Sequence, residues 1–114
     1  MEKGLSAVAI TDHVEMLRYR EEGYDRAAEA SWTASGEMAE RFAGQLRVAR
    51  GIELGQPLYN REESERLLNE CPYDFILASQ HQLEDGVDFY YYNYDVADVT
   101  DTMNRYFDAV LQMV

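Results

Sequence analysis

Three short segments of this chain each run from an apolar stretch into a residue type that binds metal ions. The apolar stretches before His13, Glu53 and His81 have the length and composition of buried β-strands, and both histidines of the chain are among these residues. Imidazole nitrogen and carboxylate oxygen are ligands for zinc, manganese and iron. Because the carboxyl ends of barrel strands meet at one rim, we expect the three side chains to converge there. The pattern predicts a metal-dependent hydrolase.

Each of these side chains has a role that its chemistry allows. Glu53 could bridge two ions with its two carboxylate oxygens, and His13 and His81 could each bind one ion through a neutral ring nitrogen. Asp12 could orient His13 or contact a metal ion directly. A lone histidine is more often a surface or hydrogen-bonded residue, and a lone glutamate is usually solvated. The prediction therefore depends on the occurrence of all three at successive strand ends.

The elements that would position these residues alternate between strand and helix. This order is typical of a parallel α/β fold. Residues Gly23 to Gly36 are polar and rich in small side chains, which favours a long loop with room for one helical turn. The predicted strands are Leu5 to Ile10, Val48 to Leu54 and Tyr73 to Ala78, and the predicted helices are Glu37 to Leu46, a second capped by Asn60, and Val96 to Val114 with an apolar stripe.

Length and charge exclude several classes of function. The 114 residues allow one domain, and the formal net charge of −12 would repel nucleic acids and anionic membranes. No apolar run approaches the roughly 20 residues of a membrane helix. The single cysteine, Cys71, excludes an intrachain disulfide framework. With no secretory signal recognised, these properties predict a cytoplasmic protein.

Three segments resemble successive motifs of the PHP (polymerase and histidinol phosphatase) superfamily. They are Ile10 to His13, Gly51 to Gly55, and Tyr73 to His81. Within that superfamily the chain is most similar to the histidinol-phosphatase branch, and the stretches Gly51 to Pro57 and Asp74 to His81 are the most specific. The resemblance covers essentially all 114 residues.

The resemblance implies a distorted (β/α)7 barrel that holds up to three divalent metal ions at its strand ends. It implies that His13, Glu53 and His81 are metal ligands, with Glu53 as the bridge, and that Asp12 belongs to the same motif. Members of the family hydrolyse phosphoesters. This branch releases phosphate from L-histidinol phosphate in histidine biosynthesis, so a small phosphorylated substrate is implied.

The chain departs from the family pattern at several points. The opening His-x-His motif, a later Gly-His-x-Asp-like motif and a late Asp-x-His motif have no counterpart here, and Gln80 stands where the family usually has a small apolar residue. These departures predict that residues 1–114 form a single partial PHP domain of about three parallel strands with intervening helices. We expect weak metal binding and negligible phosphatase activity. We also expect either self-association through exposed barrel edges or only marginal stability.

Two alternatives remain open at this point. The chain could be a PHP phosphoesterase that acts on another phosphorylated substrate, although its acidic charge disfavours nucleic acid. It could also be a non-catalytic PHP-derived fragment that retains the fold without the chemistry.

Overall fold

A parallel three-stranded sheet organises the chain. The computed structural model describes residues 4–114, and the strand order in its sheet is β1-β2-β3. The strands are β1 (Ala7–Glu15), β2 (Arg47–Gly55) and β3 (Phe75–Ser79), and the helices are α1 (Tyr24–Arg41), α2 (Arg61–Glu70) and α3 (Val99–Met113). Two short 3-10 turns lie at Pro57–Asn60 and Phe89–Tyr91. The predicted α/β class, with three parallel strands and intervening helices, is confirmed.

The register of the strands separates a core face from a polar face. Val14 pairs with Leu54, and His13 pairs with Glu53 one residue earlier. Because successive side chains point to opposite faces of a strand, His13 and Glu53 share the face that Val14 and Leu54 do not. The core face packs against the helices. The buried cluster between them consists of Val14, Met16, Tyr19, Ala28, Ile52, Leu54 and Leu67.

The predicted loop from Gly23 to Gly36 was wrong, because most of this segment lies in α1. Gly23 has a φ of 78°, which lets the chain turn into the helix. Ala28 and Ser35 are seven residues apart and both buried, so they lie on one face of the helix. Small side chains gave little apolar periodicity in the sequence, yet they let α1 lie close against the sheet. Tertiary packing outweighs the weak local signal here.

Asn60 lies at the start of α2 as predicted, but its side chain does not cap the helix. The Asn60 amide instead donates to the backbone carbonyl of Met16, at 3.2 Å. This bond connects the beginning of α2 to the segment that leaves β1. The two acidic residues Glu62 and Glu63 do lie in the first turn, where the helix dipole favours negative charge.

Helix α3 presents its apolar stripe to solvent. Its residues Val99, Met103, Phe107 and Leu111 are all exposed. On β3, the neighbours Phe75, Ile76 and Leu77 are also 40–46% exposed. Since side chains alternate along a strand, both faces of β3 are open to solvent. No helix among residues 4–114 combines the length and the apolar character needed to cross a bilayer.

We propose that copies of this chain associate through β3 and the α3 stripe, because exposed apolar surface favours burial against a partner. Light scattering coupled to size exclusion is expected to give a mass above that of one chain, rising with concentration. The double substitution Phe107→Glu and Leu111→Glu should return the mass toward the monomer. A monomer at every concentration tested would contradict the proposal.

Candidate metal site

The predicted ligands of β1, β2 and the segment after β3 meet at the carboxyl end of the sheet. His81 Nε2 lies 3.2 Å from Glu53 Oε1, and the rings of His13 and His81 are 4.9 Å apart between centroids. The hydroxyl of Ser79 donates to the same Glu53 oxygen, at 3.1 Å. The three residues lie together because β1, β2 and β3 are parallel and adjacent, which brings their ends to one edge.

Glu15 is part of this cluster, and the sequence analysis did not identify it. Its Oε1 atom lies 3.0 Å from His13 Nε2 and 2.8 Å from His81 Nδ1. Among the described residues, His13, Glu15 and His81 can each bring one ligand atom within 4.8 Å of the other two. The sequence did contain one indication of this role. Glu15 is two residues after His13, and residues two apart on a strand share a face. It was missed because the predicted strand stopped at Ile10, whereas β1 continues to Glu15.

The Glu15 carboxylate is held from behind by Gln56, which is fully buried. The Gln56 amide is oriented so that its nitrogen and its oxygen both have hydrogen-bond partners. In this orientation the nitrogen donates to Glu15 Oε2. Its oxygen accepts from the backbone N–H groups of His81 and Gln82, at 2.6 and 3.0 Å. Gln56 has a φ of 51°, and it is the only described non-glycine residue in the left-handed region. This conformation costs energy, and it turns the side chain inward below the strand ends.

Gly55 leaves the space that the Glu15 carboxylate occupies. A Cβ atom at Gly55 would lie 2.6–2.7 Å from the three carboxylate atoms of Glu15. Glu15 and Gly55 are register partners on β1 and β2, so this close approach follows from the strand pairing. The glycine that the sequence places after Glu53 and Leu54 therefore accommodates a side chain of the neighbouring strand.

Asp12 lies on the other face of β1. Its Oδ2 atom accepts a hydrogen bond of 2.6 Å from the Ser31 hydroxyl of α1. Asp12 pairs in register with Ile52, whose side chain is in the core, so this face is the one that meets the helices. The structure brings His13, Glu53 and His81 together and places Asp12 toward α1. The ligand assignments themselves stay predictions.

The residues present fit a divalent metal ion. Ligand atoms bound at about 2.0–2.1 Å around a tetrahedral ion are roughly 3.3–3.4 Å apart. The 3.2 Å separation of His81 Nε2 and Glu53 Oε1 is close to that spacing. Imidazole and carboxylate donors suit zinc, manganese and iron alike. Two carboxylates beside two imidazoles also provide the negative charge that would balance a dication.

Two tyrosines near the site keep their hydroxyl protons. Burial, followed by the charges of Glu22 and Glu15, raises the pKa of Tyr24, whose ring lies 6.1 Å from that of His13. Burial also raises the pKa of Tyr59, with a further contribution from Glu84. Tyr59 receives a hydrogen bond of 3.1 Å from the Gln80 amide. Both phenols therefore remain neutral hydrogen-bonding groups at physiological pH.

Two cavities lie outside this cluster. One of about 370 Å³ is lined in part by Tyr59, Gln80, Glu84 and Arg105. Another of about 460 Å³ lies between α1 and α2. Neither lining includes His13, Glu15, Glu53 or His81, although Gln80 directly precedes His81 in the chain.

Comparison with known proteins identifies a family but no individual relative. Searches of curated proteins and of solved structures found no match. The family model described as the PHP domain matches residues 1–114. The three parallel strands with intervening helices are consistent with part of the barrel that this family forms. A match over the whole length, together with this topology, shows that the chain belongs to the PHP domain family.

Proposed function

We propose that this chain is a metal-dependent phosphoesterase most similar to histidinol phosphatases, with L-histidinol phosphate as its substrate. The observation that carries the proposal is the meeting of His13, Glu53 and His81 at the carboxyl end of the parallel sheet. Membership of the PHP domain family supports phosphoesterase chemistry and divalent metal ions. The similarity of Gly51 to Pro57 to the histidinol-phosphatase branch supports the narrower substrate.

The metal ligands in this proposal are His13, Glu53 and His81. Divalent ions held there would neutralise phosphate charge and lower the pKa of a bound water. Glu53, with one oxygen near His81 and two oxygens in total, suits the bridging role. Ser79 restrains that carboxylate through its hydrogen bond, so that the Glu53 side chain is oriented before any ligand arrives.

A small substrate agrees with the size of the cavity beside Gln80. Its volume of about 370 Å³ lies near the lower end of the range of about 300–1,000 Å³ that is typical of small-molecule sites. A net charge of −12 makes metal cations necessary for an anionic substrate to approach.

The test is phosphate release from a panel of phosphomonoesters in the presence of manganese or zinc. L-histidinol phosphate is expected to be the best substrate, at a rate barely above background, since three predicted protein ligands are few for several ions. His81→Ala should remove the activity, while Glu65→Ala, an exposed glutamate of α2, should leave it unchanged. Equal rates for all substrates, or activity that survives His81→Ala, would contradict the proposal.

One alternative has a specific observation in its favour. The exposed apolar faces of β3 and α3 also suit a non-catalytic PHP-derived chain that binds a partner. Metal bound without any phosphate release from the panel would favour this alternative, and release from a different phosphomonoester would favour another phosphoesterase of the family.

A further inference from the structure

We propose that Glu15 is a positioning residue that selects which ring nitrogen of His13 and of His81 faces the metal ion. The inference deepens the proposed function and rests on it for the identity of the ligands. One oxygen, Glu15 Oε1, lies within hydrogen-bond distance of His13 Nε2 and of His81 Nδ1. A single carboxylate oxygen thus contacts both imidazole rings.

The two distances assign the protons. Ring N–H groups donate to carboxylates at about 2.7–2.9 Å when the pair is charge-assisted, and at up to about 3.2 Å in general. Under this proposal His81 carries its proton on Nδ1 and His13 carries its proton on Nε2, each donated to Glu15 Oε1. A neutral imidazole has one protonated nitrogen and one free nitrogen. The nitrogens left free for a metal ion are His81 Nε2 and His13 Nδ1.

The second ring nitrogen of His81 lies near another predicted ligand, Glu53. Glu53 Oε1 lies 3.2 Å from His81 Nε2, the nitrogen that Glu15 leaves free. The side of the ring that faces away from Glu15 thus faces the other predicted ligand. Carboxylate, imidazole and metal in this order form a recurrent arrangement in which the outer carboxylate fixes the tautomer and raises the basicity of the ring.

The residues around Glu15 fix the position of its carboxylate. Its Oε2 atom accepts from the buried Gln56 amide, and the absent side chain of Gly55 leaves room for the carboxylate. The Glu15 side chain is only 15% exposed, so few solvent molecules compete for Oε1. The Gln56 amide and the open space at Gly55 thus hold the Glu15 carboxylate in one orientation.

The test is the proton position on each ring, measured by long-range proton–nitrogen NMR on metal-free protein at about pH 8, where free imidazole is neutral. The native chain is expected to show His81 protonated on Nδ1 and His13 on Nε2. Glu15→Ala should shift His81 toward the Nε2-protonated form that free histidine prefers. Gly55→Ala, which displaces the carboxylate without removing it, should shift it in the same direction. Glu65→Ala is the matched control and should change neither ring.

A second measurement separates a positioning residue from a ligand. Glu15→Ala should weaken zinc or cobalt binding by roughly 10–100-fold, as loss of an outer carboxylate typically does. The absorption spectrum of the cobalt-saturated variant should keep its native shape. A changed spectrum would make Glu15 a ligand and overturn the inference, as would unchanged ring tautomers in both variants. Native tautomers in a chain that binds no metal would reject the proposed function alone, because the proton positions are measured without metal.

Discussion

Glu53→Ala is expected to reduce metal binding, which we expect to be weak in the native chain, below detection. Glu53 lies between the ends of β1 and β3, and its oxygen approaches His81 Nε2 at 3.2 Å. Its removal takes away the only predicted ligand with two donor atoms, so the affinity should fall by more than the roughly 10–100-fold that loss of an outer-shell partner costs. The measurement is metal content per chain by elemental analysis, on protein purified without chelators or an affinity-tag metal.

The matched control is Glu65→Ala, which removes the same side chain from the exposed surface of α2. Its metal content should equal that of the native chain. His81→Ala should lower the metal content as much as Glu53→Ala does, since the two variants each remove one of the neighbouring ligand atoms His81 Nε2 and Glu53 Oε1. Equal metal in the native chain and both site variants would place the binding elsewhere and contradict the site.

Leu54→Ala should cost the largest amount of folding stability among single truncations at the sheet. Leu54 is 2% exposed and belongs to the core cluster that joins β1, β2 and α2. Truncation of a buried leucine removes its transfer free energy and leaves a cavity, and together these cost about 2–5 kcal/mol. Urea unfolding monitored by circular dichroism gives the change in the free energy of unfolding directly.

Leu5→Ala provides the comparison for this substitution. Leu5 is 68% exposed, so the same loss of atoms should change the free energy of unfolding by less than about 0.5 kcal/mol. A loss of similar size in both variants would mean that Leu54 is not packed as described. Metal should be left out of these experiments, since bound ligand adds its own contribution to stability.

The strand-end residues could be predicted because they combine two strong local signals. An apolar run followed by His13, Glu53 or His81 specifies both a buried strand and a ligand at its carboxyl end, and the structure brings the three together. Such a pattern is local in sequence. The parallel sheet then follows from the alternation of strand and helix.

Glu15 and Gln56 could not be found in the same way, because their roles depend on neighbours distant in sequence. Glu15 is 66 residues from His81, and nothing near position 15 indicates that contact. Most of α1, from Tyr24 to Gly36, was missed for a related reason. Its inward residues are small, so the sequence shows little apolar periodicity there. Packing of these residues against the sheet stabilises the helix.

Gln56 has a consequence for how the rim of the sheet moves. Its one amide group bonds the Glu15 carboxylate at the end of β1 and two backbone N–H groups that follow β3, while its own backbone continues from β2. Three strand ends thus share one buried side chain. Local opening at any of them must break bonds to the same amide, so the amide protons of His81 and Gln82 should exchange with solvent in one cooperative event that also releases Glu15. The rim then behaves as a single unit of stability, whose opening frees both imidazole rings together.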